Sequence, residues 1–227
     1  INSHIDCGHD HGIGKFNIES NVRYWSKDIG KVRILALDTV NENGGWQGSI
    51  DEIQLNWISQ TLKQAQDKYC ILLSHHPSPT LINGYAPPNQ PRRILGEEFL
   101  QELYKHKNLI VWIAGHVHRH ASGIHTRSDG STFLELTTAS HIDWPQQARI
   151  LEIVKEDKQI AIASTVIDHL GHLDWQNREL DYLTMAGISR ALSLNDWQRR
   201  DDFNPVLARH GNKEDRNIVW RVSDPFA

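Results

Sequence analysis

Two apolar runs that each end in histidines constrain the fold of this chain more than any other feature. Residues 69–74 and 109–114 are short and largely apolar, and they continue directly into His75-His76 and into Gly115-His116. Short continuous apolar runs are typical of strands that are buried on both faces of a sheet. We therefore predict two interior strands with histidines at the end of each.

The segments around these runs have the pattern of crossover helices. A further apolar run covers residues 32–37, a helix is predicted to begin at Ser49 with Glu52 completing a capping box, and a second helix is predicted near residues 95–106. The strand–helix–strand order implies parallel strands joined by right-handed crossovers. Ligand sites in such sheets lie beyond the carboxyl ends of the strands, so both histidine clusters should lie at one edge.

The remainder of the chain has a different pattern. Four short apolar segments predict an antiparallel meander, at residues 121–126, 132–138, 148–154 and 159–167. A surface helix is predicted within residues 175–194, an irregular initial segment over 1–31 and an extended tail over 195–227. We predict an α/β protein with a parallel βαβαβ core, and a single domain over residues 1–227.

Composition excludes several classes of protein. The net charge is −4 without a basic block, which argues against a nucleic-acid partner. Apolar runs fall short of the roughly 18 residues that a membrane span requires. Cys7 and Cys70 are too few for a disulfide framework, and free thiols favour a cytoplasmic location. Because the chain begins with Ile1, we expect a processed piece that lacks its targeting region.

The histidines at the two strand ends favour a metal site. A lone histidine at a strand end is more often an ordinary hydrogen-bonding residue than a ligand, but His75, His116 and His118 lie at two adjacent strand ends. Gly115 removes side-chain bulk where the backbone bends. Imidazole suits zinc, iron and manganese, and a site without cysteine leaves positions for oxygen ligands and water.

These segments resemble a known family. Leu73-Ser74-His75-His76-Pro77 and Gly115-His116-Val117-His118 resemble the last two metal-binding motifs of the calcineurin-like metallophosphoesterases, the superfamily that includes the purple acid phosphatases. Leu37-Asp38-Thr39 and residues 44–57 resemble the segment before those motifs in one bacterial branch. The resemblance covers about residues 20–155 and implies part of a four-layer αββα sandwich.

The resemblance also implies the chemistry. His75 and His116 would bind one divalent metal ion and His118 a second, with His76 beside these ligands, and the ions would be Mn, Fe or Zn. In that family, two metal ions activate the water that attacks the phosphorus of a phosphoester substrate. No catalytic side chain is identified in this sequence.

The earlier motifs of that family do not occur here. They are an Asp-x-His after a first strand, a Gly-Asp-x-x-Asp and a Gly-Asn-His, and Asp10-His11 is no substitute because no apolar strand precedes it. We therefore expect the C-terminal part of a metallophosphoesterase, inactive alone, whose missing ligands come from an upstream segment of the same protein. The alternatives are a non-catalytic module that binds a single metal or a partner protein, and an enzyme completed by another polypeptide.

Other polar segments have weaker signals. His141 and Asp143, in the segment 140–147, could border the phosphate site, although a simple turn explains the segment equally well. His120 and His125 alternate along a predicted edge strand and are expected to face solvent. Arg92-Arg93 is interpreted as a solvated charge pair. The polar segments 6–11 and 168–174 could ligate a cation, but are interpreted as solvated and turn-like.

Overall fold

The computed structural model describes residues 14–195 and 209–227. The helices are α1 (Lys15–Ser20), α2 (Glu52–Gln64), α3 (Gly96–Leu103) and α4 (Tyr182–Leu192). The strands are β1 (Trp25–Ile29), β2 (Val32–Ala36), β3 (Ile50–Asp51), β4 (Tyr69–Leu73), β5 (Arg93–Ile94), β6 (Leu109–Ala114), β7 (Ala121–Thr126), β8 (Thr132–Thr137), β9 (Gln147–Lys155), β10 (Gln159–Asp168) and β11 (Ile218–Ser223). Within these ranges, the helices are too short or too polar to cross a membrane.

The chain divides into two compact units. The first comprises residues 1–114, 124–135 and 223–227, and the second comprises residues 115–123 and 136–222. The expectation of one domain over residues 1–227 stays a prediction. The segment 6–11 and part of the predicted tail lie outside the described residues.

The first unit is built on the predicted parallel strands. The sheet has the order β1-β2-β4-β6-β8-β7, and residues 124–135 of its last two strands belong to this unit. β2 pairs in parallel with β4, and β4 pairs in parallel with β6, with Ile71 opposite Val111. Leu72 and Trp112 are completely buried, because these central strands are covered on both faces. The predicted α/β class with a parallel core is confirmed.

The predicted start of the first crossover helix is wrong. Asp51, rather than Ser49, caps α2, and its Oδ1 accepts a 2.7 Å hydrogen bond from the backbone N–H of Gln54. The chain stays extended for longer because Ile50 and Asp51 form β3, which pairs with β5. Ser49 is buried and accepts a hydrogen bond from Arg93 Nε at 2.9 Å. Ile53, in the first turn of α2, is exposed.

The irregular initial segment is also a wrong prediction for the described part of residues 1–31. This part contains α1 and β1, and β1 pairs antiparallel with β2. Asn17 joins the two elements by donating from Nδ2 to the carbonyl of Tyr24 at 2.9 Å. β1 is an edge strand with mostly exposed side chains, so its sequence lacks the apolar pattern by which strands are recognised.

The second unit contains a separate antiparallel sheet of order β11-β10-β9. The predicted meander is thus divided, since β7 and β8 belong to the larger sheet. The extended tail is wrong for residues 218–223, which form β11. In β11, Val219 and Arg221 are exposed whereas Val222 is buried, which is the alternation of a half-buried strand. Asp181 caps α4 by accepting from Thr184 N at 2.7 Å.

Candidate metal centre

The loop after β4 holds His76 by both ring nitrogens. Nδ1 lies 2.8 Å from Thr39 Oγ1, and Nε2 lies 3.0 Å from the carbonyl oxygen of Trp46. A carbonyl oxygen only accepts, so Nε2 carries the proton and Nδ1 accepts from the threonine hydroxyl. Burial lowers the pKa of His76, which favours the neutral ring. Both nitrogens are therefore engaged by the protein, as suits a residue beside the ligands.

Gly48 allows this close packing around His76. A Cβ atom at Gly48 would lie 2.4 Å from His76 Cγ and 2.8 Å from the carbonyl oxygen of Thr39. Neither contact is sterically possible, so the position requires glycine. The backbone N–H of His76 also donates to Thr39 Oγ1 at 3.2 Å. The ring and its backbone are thus fixed together.

His75 has a different environment from its neighbour. Its side chain is exposed, whereas His76 is only 3% exposed. The two rings meet edge to face, with centroids 4.7 Å apart and an interplanar angle of 88°. The buried imidazole therefore forms a rigid support for the exposed one, which is the predicted metal ligand of this loop.

The turn after β6 has an unusual backbone. His116 and His118 have positive φ angles of 63° and 51°. The N–H of Val117 donates to the carbonyl of Gly115 at 2.7 Å, which closes a three-residue turn around His116. A non-glycine residue in the left-handed region costs on the order of 1–3 kcal/mol, and such residues cluster at functional sites. The strain at two histidines of one short turn points to a functional role.

A carboxylate holds the ring of His118. Asp143 Oδ2 contacts His118 Nδ1, and Arg209 Nη1 lies 3.2 Å from the same oxygen. The guanidinium is almost completely buried. Within residues 14–195 and 209–227, His118 Nε2 has no hydrogen-bond partner. A histidine with one nitrogen on a carboxylate and the other available has the arrangement of a metal ligand.

Asp143 and His141, two residues apart in the chain, lie in different environments. Ser140 Oγ accepts hydrogen bonds from the backbone N–H groups of Ile142 and Asp143, at 3.0 Å and 3.4 Å, which is the expected turn. His141 is exposed and lines a cavity of about 240 Å³ together with His169 and Asp168. The turn directs only Asp143 toward a predicted ligand.

The solvent-facing positions expected for His120 and His125 are wrong. His120 is completely buried, with Nε2 3.2 Å from Gln147 Oε1 and Nδ1 2.9 Å from Arg149 Nη2. Burial and the Arg149 charge lower the pKa of His120 to about 4. His125 Nε2 lies 2.6 Å from Glu135 Oε2. Alternation along a strand shows which side chains share a face, but not whether that face is covered.

The interpretation of Arg92-Arg93 as a solvated charge pair is wrong for Arg93, whose side chain is only 8% exposed. Arg92 forms two 2.7 Å hydrogen bonds with the carboxylate of Glu98 at the surface. Arg93 donates to the hydroxyl and to the carbonyl of Ser49, at 2.9 Å and 2.8 Å. Arg92 thus forms a surface ion pair with Glu98. Arg93, the first residue of β5, instead binds the segment before α2.

Sequence reasoning missed several residues that hold His76 and Asp143, which lie beside predicted ligands. Thr39 lies just beyond β2, beside the end of β4, so its contact with His76 could have been anticipated from the strand order. Trp46 contributes a backbone carbonyl and Arg209 comes from a distant segment, and neither has a signal in the sequence.

Comparison with known proteins identifies the family. The sequence model of the calcineurin-like phosphoesterases matches residues 5–120, about half of the chain. The chain belongs to the calcineurin-like phosphoesterase family. The match begins upstream of residue 20, where the resemblance was expected to start, and it includes Asp6, His9 and His11.

Two known proteins are similar to parts of this chain. A probable cyclic nucleotide phosphodiesterase of Synechococcus sp. (strain WH7803) is 30% identical over 99 residues, which are 43% of this chain and 36% of that protein. A dimetal phosphatase from Danio rerio is 17% identical, with a TM-score of 0.45, over 65% of this chain and 59% of that one. The chain thus spans less than two thirds of the length of either protein.

Membership of the calcineurin-like phosphoesterase family implies divalent metal ions, and the donors in this chain fit them. His118 is 31% exposed and has Nε2 available, and His75 is exposed at the end of β4. Neutral imidazole nitrogens suit manganese, iron and zinc. His76 fits less well as a ligand, since both of its nitrogens are engaged by protein oxygens.

Proposed function

We propose that this chain contributes His75, His116 and His118 to the two-metal site of an enzyme that hydrolyses a phosphate ester. The order of the strands carries the proposal. β4 and β6 are neighbouring parallel strands, and their carboxyl ends continue into Ser74-His75 and into Gly115-His116. Sites in parallel sheets form beyond such ends. The family match over both histidine motifs supports the same ligands.

The environment of His118 supports its role as a ligand. A carboxylate on the far nitrogen sets the tautomer of a metal-binding histidine, fixes its ring and makes the ligand nitrogen more basic. Asp143 has this position on His118, and Arg209 holds Asp143 in turn. In this proposal Asp143 acts on His118 rather than on substrate.

The other side chains of the site would act by holding and orienting the ligand histidines. Divalent metal ions held by His75, His116 and His118 would supply a water of lowered pKa and would neutralise charge on the phosphoryl oxygens. His76 stays neutral and supports the ring of His75, with Thr39 and Trp46 fixing its tautomer. Asp143 keeps His118 Nδ1 occupied, so Nε2 is the nitrogen directed to a metal.

The substrate and the metals belong to the same proposal. The phosphodiester of a cyclic nucleotide is the candidate substrate, because the Synechococcus relative named for it is 30% identical over 99 residues. The two metals are Mn, Fe or Zn, as imidazole ligands favour. We propose no nucleic-acid or membrane partner, and a cytoplasmic location that the free thiol of Cys70 supports.

We propose further that the 227-residue chain alone is inactive. Its sequence lacks the Gly-Asp-x-x-Asp and Gly-Asn-His motifs, so the bridging carboxylate and the asparagine ligand are missing. In the preferred arrangement, an upstream segment of the same protein supplies them. A non-catalytic module with a single metal is the second candidate, and the same missing carboxylates favour it.

Phosphodiesterase assays test these proposals. Bis-p-nitrophenyl phosphate and 3′,5′-cyclic AMP are incubated with Mn²⁺ and either the chain alone or the chain fused to a segment that carries the missing motifs. We expect turnover only from the fusion, and its loss in His118→Ala. Robust turnover by the chain alone would contradict the missing-ligand argument. A fusion that binds one zinc per chain without turnover would favour the module.

A further inference from the structure

Glu135 is a buried carboxylate on β8 that binds the loop after β4. Its Oε1 accepts from the backbone N–H of Ser78 at 2.6 Å, and its Oε2 accepts from Ser78 Oγ at 2.8 Å. Oε2 also lies 2.6 Å from Nε2 of His125. Glu135 is 8% exposed. One residue of the loop after β4 thus donates two hydrogen bonds to a carboxylate in the interior.

Ser78 is fixed on its carbonyl side as well. The carbonyl oxygen of Ser78 accepts from the N–H of Leu81, and a Cβ atom at Gly96 would lie only 2.0 Å from it. The first residue of α3 therefore packs directly on this peptide. Pro77 and Pro79 restrict the backbone on either side of Ser78. Ser78 is thus the residue through which the loop after β4 is fixed to β8 and α3.

His125 orients the carboxylate. A carboxylate oxygen accepts the Nε2 proton, which leaves Nδ1 to face the hydroxyl of Tyr104 at 3.4 Å. The imidazole stacks on Phe133, with ring centroids 4.8 Å apart and an interplanar angle of 22°. Since each end of the ring has a partner and one face is covered, the imidazole can hold Glu135 in a single position.

Hydrolysis by a serine nucleophile does not explain these residues. In a Ser-His-Asp triad the imidazole contacts the hydroxyl and removes its proton. Here the carboxylate lies between Ser78 and His125, and the serine is buried. Nor does stability explain the carboxylate, because burying a charge is costly and an apolar residue of similar volume is often as stable or more stable. What the carboxylate provides is a fixed position for the Ser78 peptide.

We propose that Glu135 is a positioning residue for the metal site, which acts through Ser78 on His75. Only two residues, His76 and Pro77, separate His75 from Ser78, so a fixed Ser78 peptide restricts the directions that His75 can take. This inference rests on the proposed role of His75 as a ligand. Loss of Glu135 would leave His75 present but poorly aimed.

Zinc affinity of the full chain tests the inference. Zn²⁺ binding is measured by competition with a chromophoric chelator for the wild type, Glu135→Leu, Ser78→Ala and Leu62→Ala. Loss of a residue that orients a ligand typically weakens binding by about 10–100-fold, which we expect for Glu135→Leu. Ser78→Ala keeps the N–H donor and should weaken binding less. Leu62→Ala removes a side chain of the core and should leave the affinity unchanged.

Leu62→Ala is the control for stability. It should lose about 2–5 kcal/mol by leaving a cavity, so an effect of lower stability alone would appear there too. Equal zinc affinity in Glu135→Leu and Leu62→Ala would overturn the positioning role. If Glu135→Leu does not fold, Glu135→Gln carries the test. Its carbonyl oxygen can keep the Ser78 N–H bond, but it cannot accept from both Ser78 Oγ and His125, so an intermediate loss is expected.

A measurement without metal separates this inference from the proposed function. In NMR spectra of the metal-free chain, the Ser78 amide should be protected from exchange, and Glu135→Leu should remove that protection and shift the ring resonances of His75. If the wild type binds no zinc while these changes occur, the ligand assignment fails and the positioning contact stands. Ring resonances of His75 that do not move would overturn the positioning role.

Discussion

The loop after β4 and the turn after β6 both place histidines beyond a buried parallel strand, yet they are held by different means. In the loop, Thr39 and the Trp46 carbonyl hold His76, and Glu135 holds Ser78. Among the described residues of this loop, 74–81, all φ angles are negative. In the turn, two histidines have left-handed backbone conformations.

The difference shows which kind of change each region tolerates. The position of His76 depends on packing, because neighbouring atoms leave no room even for a methyl group at Gly48. The position of His118 depends on a strained backbone and on one carboxylate, Asp143. We therefore expect added volume to be most destabilising in the loop, and loss of a charge to be most destabilising in the turn.

Gly48→Ala should have the largest effect. The new Cβ would lie 2.4 Å from His76 Cγ, and the backbone cannot withdraw easily because Gly48 N donates to Thr80 O at 3.0 Å. Overpacking typically costs about 1–3 kcal/mol of stability. We expect Gly48→Ala to lower the free energy of unfolding, measured in urea, by about 3 kcal/mol. Gly123→Ala is the matched control, since a Cβ there meets nothing within 4 Å. Equal costs for the two variants would show that packing does not hold the loop.

Asp143→Asn should have the second largest effect, and in the turn rather than in the loop. The amide keeps the shape but not the charge, so His118 and the buried Arg209 lose a carboxylate partner. We expect the free energy of unfolding to fall by about 2 kcal/mol, because hydrogen bonds to a charged acceptor are stronger than those to a neutral amide. Zinc affinity should fall by about 10–100-fold, since the carboxylate orients the ligand.

The control for that variant is Asp157→Asn, which changes the same charge on an exposed residue between β9 and β10. This variant should change the free energy of unfolding by less than about 0.5 kcal/mol. A fall in zinc affinity for both variants would mean that net charge, rather than contact with His118, determines binding.

The strand order and the two histidine motifs could be predicted because burial leaves a strong pattern in the sequence. β6 was predicted at its observed bounds, since every one of its residues is apolar. β1 was missed because an exposed edge strand is stabilised by backbone hydrogen bonds and needs no apolar side chains. The cap of α2 was misplaced because Ser49 and Asp51 are both good caps, and pairing of β3 with β5 decided between them.

The environment of the site was less predictable than its ligands. Neither the contact of Asp143 with His118 nor that of Glu135 with Ser78 has a local signal, because 25 and 57 residues separate the partners along the chain. His120 and His125 were placed in solvent for the same reason, since the residues that cover them are distant in sequence. Local patterns indicate which face a side chain shares, and tertiary contacts decide what covers it.

His116→Asn tests the strained backbone, with a smaller expected effect. Asparagine adopts positive φ more readily than other non-glycine residues, so the variant should relieve strain at φ 63°. We expect the free energy of unfolding to rise by about 0.5–1 kcal/mol, while zinc affinity falls. His75→Asn is the control, because φ at His75 is negative and no strain is relieved there. Equal stability changes in the two variants would mean that the backbone of the turn is not strained.

The reactivity of the Cys70 thiol tests how tightly β4 is packed. Burial raises the pKa of its thiol to about 12, and the side chain is completely buried. Because only the thiolate reacts, Cys70 in a Cys7→Ser variant should not react with Ellman's reagent at pH 8 until the chain unfolds in guanidinium. Wild type provides the reference for Cys7. Rapid reaction of Cys70 in the native variant would show that β4 opens, and the loop that follows it could not then be the rigidly packed member of the pair.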